Sequence, residues 1–162
     1  MTKIRQANEA DIPAIQQIAT ESWHHTYQDL MPLKIINQCV ETFYQEDVLI
    51  KRIADRCVLV ASEDQVIKGF LDASENLQDA HLYALYIKPG ATRQGIGSRL
   101  FYDYINREHP QSLTVDVEKG NEKAGRFYQK HNFKYEATFV DEVFNYPLQT
   151  ERYILMFRVS GD

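Results

Sequence analysis

Cysteine is scarce in this chain of 162 residues: Cys39 and Cys57 are the only two, and they match neither a metal-ligand spacing nor a disulfide framework. They read as two buried thiols of a protein kept in a reducing compartment. Long apolar runs are missing as well. No stretch nears the roughly 18 apolar residues of a membrane span, and Met1 to Ala10 lacks the apolar run behind positive charge that a signal peptide carries. The expectation is a soluble protein of the cytoplasm with no membrane partner. Positive charge is in deficit, with 18 Lys plus Arg against 23 Asp plus Glu and a net charge of -5. That argues against a nucleic-acid partner, because such proteins present a broad basic face to the phosphate backbone. No repeat, low-complexity segment or linker breaks the chain, and its 44% hydrophobic content is enough for a real core. One domain over residues 1–162 is expected.

What is present is alternation of helical and strand patterns. Lys3 to Ala7 reads as a strand, and Asn8 can cap a helix that buries Ile12, Ile15, Ile18 and Ala19, with Pro13 in its first turn. The pattern fades over Ser22 to Leu30, where Trp23, His24, His25 and Tyr27 cluster. His24 and His25 are adjacent and so point in different directions on a helix, which speaks against a metal pair. Two short helices follow between Pro32 and Asp55. Cys57–Glu63 and Val66–Ala73 form a hairpin around Asp64-Gln65, and His81–Ile87 is a strand with apolar side chains on both faces, the mark of a central position. Tyr83, Leu85 and Ile87 would share one face, and Leu82, Ala84 and Tyr86 the other. A helix opens at Gly95 and ends near His109-Pro110. Ser112–Val117 is a strand, Asn121–His131 a helix, and Lys134–Val140 and Arg152–Val159 are strands joined by a loop holding Tyr146-Pro147.

The stretch from Leu82 to Leu100 has the order strand, glycine loop, helix. The first amides of a helix lack intrahelical partners and sit at the positive end of its dipole, so they can hold a phosphate. Backbone amides from Gln94 to Ser98, with help from Arg93 and Arg99, would form that cradle. A dinucleotide fingerprint needs a third glycine where Leu100 stands, although Asp116 lies near the distance of a ribose-binding acid. A P-loop needs a lysine that Gly97-Ser98-Arg99 does not supply. A second constellation follows the strand LTVDV: Asn121, Ala124 and Tyr128 are spaced three and four apart and share a helix face.

These paired motifs resemble the GNAT superfamily of N-acetyltransferases, loosely in the manner of the PaiA-type polyamine acetyltransferases. The resemblance covers Leu82 to Tyr104 and Leu113 to Phe133, and it implies an α+β fold. That fold has a mixed, mostly antiparallel central sheet of about six or seven strands flanked by about four helices. It implies acetyl-CoA as cosubstrate, with no metal. Leu85, Tyr86 and Ile87 would pair by backbone with the pantetheine arm, Arg93, Gln94, Gly95, Ile96, Gly97 and Ser98 would hold the pyrophosphate, and Asn121, Ala124 and Tyr128 would approach the reactive end. Where the family often has Gly-Phe after this helix, the chain has Asn132-Phe133, and Asn tolerates the left-handed turn nearly as well.

The implied reaction is transfer of acetyl to a primary amine of a small molecule or peptide by direct attack. Tyr128 is the implied general acid toward the departing thiolate, since a phenol of pKa about 10 can donate to a thiol of about 8.5. The family glutamate base has no counterpart on the strand before the glycine loop. His81 and Tyr83 stand at the corresponding positions, and either His81 or a water chain would take the proton. Trp23, Tyr27, Tyr83 and Tyr146 would wall the acceptor pocket, and Asp29, Asp72, Glu75 and Glu142 would attract a cationic amine, a polyamine among the candidates. The last strands leave a homodimer open. Two other classes compete: a non-catalytic acyl-CoA-binding sensor, and a nucleotide-dependent oxidoreductase using Asp116.

Overall fold

The computed structural model describes residues 2–91 and 95–157. Chain entry is set by a reciprocal cap. The Asn8 side chain accepts from Ala10 N–H at 2.9 Å, while Asn8 N–H donates to the Asp11 carboxylate at 2.9 Å. After strand β1 (Thr2–Gln6) this launches a 3-10 turn and helix α1 (Ile12–Tyr27). The helix does not fade at Ser22. Ile15, Ala19, Trp23 and Tyr27 recur every four residues and are all buried, so the aromatic cluster prolongs the apolar stripe.

Helices α2 (Leu33–Phe43) and α3 (Glu46–Asp55) follow, then β2 (Cys57–Glu63), β3 (Val66–Ala73) and β4 (Asp79–Ile87). Helix α4 (Ile96–Glu108), β5 (Ser112–Glu118), α5 (Glu122–Lys130), β6 (Lys134–Val143) and β7 (Tyr146–Met156) complete the chain. The seven strands form one sheet in the order β1-β2-β3-β4-β5-β7-β6, antiparallel except at β4–β5. Among the described residues five α-helices flank it, against the expected four or so. On one face α4 and α5 bury Leu59, Leu71, Leu82, Leu100 and Leu113. On the other, α1 to α3 bury Ile15, Ile36, Val60 and Phe70.

Two expectations about strands are corrected. The register between β3 and β4 shifts at Asp72/Ala73, leaving Tyr83 as an extra residue on β4. Leu82 therefore joins Leu85 and Ile87 against the α4 side, while Ala84 and Tyr86 pack on the α1 side, so simple alternation fails at Tyr83. Tyr146-Pro147 lies in β7, and the turn is Phe144-Asn145, both at positive φ. Pro147 pairs with Glu142 of β6, and the β5 ladder reaches only Thr150, so no strand on the other side asks for its missing N–H. Among the described residues no helix is long and apolar enough to cross a membrane.

The consequential feature is a fork. β4 and β5 pair in parallel only from Asp79↔Ser112 to Leu82↔Val115. Beyond that, β4 continues to Ile87 and β5 to Glu118 without pairing to each other, and each leads into a helix N-terminus.

Candidate active site

The fork opens a cleft of about 500 Å³. One wall is β4 from Leu82 to Ile87, whose edge facing away from β3 has lost its strand partner at Leu82 and keeps free backbone groups. The floor is the start of α4. Gly95 is at φ 72, a left-handed geometry suited to glycine, and among the described residues no side chain caps the helix, which leaves its first amides available. At Gly97 an added Cβ would come 3.4 Å from the Phe127 ring, so the bare backbone keeps the floor open. The opposite wall is α5, capped by Asn121, whose side-chain oxygen accepts from Ala124 N–H at 3.3 Å. A free strand edge, an uncapped helix N-terminus and small residues at Gly97 and Ala124 fit an extended, phosphate-bearing thioester such as acetyl-CoA.

Most of the expected cosubstrate residues meet here: Leu85, Tyr86 and Ile87 on β4, Gly95, Gly97 and Ser98 on α4, and Asn121, Ala124 and Tyr128 on α5 all line the cleft. Ile96 does not, being 1% exposed and packed in the core under the helix. Arg93 and Gln94 lie outside the described residues. Of the acceptor walls, Tyr27 and Tyr83 line the cleft. Trp23 packs against Tyr27, with ring centroids 4.7 Å apart, and Tyr146 donates to the Leu30 carbonyl at 3.4 Å, so these two sit behind the lining. Asp72, expected to attract an amine, is buried against Arg56 at 3.1 Å and Arg52 at 3.7 Å, where no substrate reaches it.

His81 is not among the lining residues. Its Nδ1 lies 2.8 Å from the Thr114 hydroxyl, and its Nε2 faces Asp116 at 3.9 Å. Asp116 is in turn clamped by two hydrogen bonds from Arg152, at 2.8 and 3.0 Å. Burial holds the His81 imidazole below its ordinary range, against the pull of Asp116.

The residue that sequence reasoning missed is Glu118. It ends β5, lines the cleft, and accepts a 2.8 Å hydrogen bond from the Tyr27 hydroxyl. Burial raises its carboxyl above the usual glutamate range, while the Tyr27 hydrogen bond opposes the rise. The available signal was alternation in LTVDVE: Val115 and Val117 face the core, so Thr114, Asp116 and Glu118 must share the other face. Tyr128 is buried, and both burial and the Glu118 charge push its phenol up, keeping it a proton donor at neutral pH. The cleft thus joins an extended binding edge, an anion site, a protonated phenol and a carboxylate.

The comparisons agree with this geometry. The model of the Acetyltransferase (GNAT) family matches residues 12–133. A spermidine N(1)-acetyltransferase of Thermoplasma acidophilum is 26% identical over 145 residues, covering 84% of this chain and 90% of the relative. The peptidyl-lysine N-acetyltransferase YiaC of Escherichia coli is 30% identical over 138 residues, covering 80% and 82%. In fold, the chain is similar to the crystal structure of the PaiA N-acetyltransferase of Thermoplasma acidophilum in complex with coenzyme A. That likeness has a TM-score of 0.82 at 24% identity and covers 93% of this chain and 98% of that one. With a forked sheet that fits the thioester cosubstrate and a family match over most of its length, the chain belongs to the GNAT family, enzymes that move acetyl from acetyl-CoA to an amine.

Proposed function

We propose that residues 1–162 form one cytoplasmic N-acetyltransferase domain whose acceptor is the primary amine of a small cationic molecule, a polyamine in the first instance. The carrying observation is the composition of the cleft where β4 and β5 part. Asp116 and Glu118 project from β5 on one face, with Tyr83, 50% exposed, beside them. One face of the Tyr83 ring is taken by the Arg56 guanidinium, 3.8 Å from its centroid, and Asp116 is paired with Arg152, so Glu118 is the carboxylate that suits an alkylammonium chain. The two named relatives act on spermidine and peptidyl-lysine, both of which present an amine on a methylene chain.

In this reading Leu85 to Ile87 hold the pantetheine arm, the amides of Gly95 to Ser98 take the pyrophosphate, and Asn121 and Ala124 shape the wall beside it. Lys123 and Lys130 line the cleft and add positive charge near the phosphates. Tyr128 donates to the leaving sulfur. The location rests on the two free, buried cysteines. Two copies, where they associate, would meet along the exposed edge strand β6.

The test is thiol release from acetyl-CoA over a panel of polyamines, lysine-bearing peptides, aminoglycosides and amino acids. Turnover with a polyamine at the highest kcat/KM is expected. Acetyl-CoA binding without thiol release for any amine would overturn the reading in favour of a sensor, and a lysine peptide as best acceptor would overturn the choice of polyamine.

A further inference from the structure

An amine attacks a thioester only when neutral, so an acceptor that arrives as an ammonium must lose a proton inside the cleft. The groups lining the cleft that could take it are carboxylates, phenols and one imidazole. Asp116 is engaged by both Arg152 bonds, and Tyr27, Tyr86 and Tyr128 are phenols that burial keeps protonated. Of the carboxylates, Glu118 remains. It stands three residues past the fork at Val115, on the wall facing β4, immediately before the helix that carries Tyr128. Its Oε2 accepts one hydrogen bond, from Tyr27, which leaves lone pairs for a further donor. The groups around it are Tyr27 of α1, Cys39 of α2, Tyr86 of β4, Asp116 of β5, Tyr128 of α5 and Asp141 of β6. No cation stands among those six.

Resting on the acetyltransferase reading, we propose that Glu118 takes the proton from the acceptor ammonium and that Tyr27 is the positioning residue that aims its carboxylate. The proton moves from R–NH3+ to the Glu118 carboxylate. The freed nitrogen lone pair forms the C–N bond at the thioester carbonyl carbon. The C–S bond breaks with its electron pair on sulfur, and the thiolate takes a proton from the Tyr128 hydroxyl, which regains one from the acylated nitrogen. Glu118 returns its proton to solvent, so each turnover yields an amide, a thiol and one released proton. The base thereby stands on the strand after the glycine loop, across the fork from the position where His81 was expected to serve.

The experiment is kcat/KM against pH for the wild type, Glu118→Gln, Glu118→Asp, Tyr27→Phe and His81→Gln, with acetyl-CoA Kd measured in parallel. Glu118→Gln should lose about 10²–10⁴-fold in kcat with little change in acetyl-CoA Kd, and its acid limb should vanish. Glu118→Asp should keep the limb at reduced kcat. Tyr27→Phe should move the limb to higher pH, because the hydrogen bond it removes favours the carboxylate anion. Glu118→Gln within about threefold of wild type, or an acid limb that survives in it and disappears in His81→Gln, would overturn the assignment. An unmoved limb in Tyr27→Phe would overturn the positioning role. Failure of the underlying reading looks different: the wild type itself would release no thiol with any amine, and Glu118 would fall with it.

Discussion

Ser98 Oγ lies 3.0 Å from Nε2 of His131, and Nδ1 of the same ring lies 2.8 Å from the Phe127 carbonyl oxygen. A carbonyl only accepts, so Nδ1 carries the hydrogen and Nε2 accepts from the Ser98 hydroxyl. The ring is buried against Phe101 and Phe127 and fastens the first turn of α4 to the end of α5, the two walls that flank the anion site. His131→Ala should therefore cost about 2–4 kcal/mol in urea unfolding. It should also weaken acetyl-CoA binding by calorimetry more than it raises the amine KM.

Tyr128→Phe removes the hydroxyl and leaves the ring packed against Phe127 and Phe133. Stability and acetyl-CoA Kd should stay close to wild type, while kcat falls by about 10²-fold. Thiol-release kinetics beside calorimetry separate the two, and an unchanged kcat would assign Tyr128 to the core alone.

Asp11 closes the cap at the start of the first helix and accepts two hydrogen bonds from Arg5, at 2.7 and 2.8 Å. The Arg5 hydrogen bond holds its carboxyl below the ordinary aspartate range. A depressed folded pKa means stability that is present above the unfolded value, near 3.9, and lost as pH falls through the folded one. The Arg5 side chain is 47% exposed, so solvent screens the pair and the cap supplies much of the effect. Asp11→Asn should lose about 1 kcal/mol at pH 7, and the gap from wild type should close as urea midpoints are followed below about pH 4.

Asn132 stands at φ 71 in the turn that ends α5, where Phe133 N–H reaches the Tyr128 carbonyl at 3.0 Å and Asn132 N–H reaches Gln129 at 3.1 Å. This is a Schellman arrangement with asparagine in the glycine position. Asn132→Gly should change thermal stability by a few tenths of a kcal/mol, and Asn132→Ala should cost about 1 kcal/mol, because only the alanine resists a left-handed backbone.

That turn was legible from local sequence, as were the hairpin at Asp64-Gln65 and the glycine floor of the cleft, because each depends on residues a few positions apart. The break in alternation at Tyr83 was not. It arises from how β4 meets β3, and nothing within the run from His81 to Ile87 encodes it. Pro147 misled for a related reason: its tolerance in a strand depends on where β5 ends. Glu118 was hidden most deeply. Its only polar side-chain partner among the described residues is Tyr27, 91 positions away, and a glutamate closing a strand looks like solvent-facing charge until α1 folds over it.

The sheet's two leaves, β1 to β4 and β5 to β7, are sewn together by the short run from Asp79↔Ser112 to Leu82↔Val115. The seam ends where the chemistry begins, so a cosubstrate lying along β4 would bridge the two leaves just past their last shared pair. Amide exchange along Leu85 to Ile87 and Val115 to Glu118 should therefore slow when acetyl-CoA binds between them.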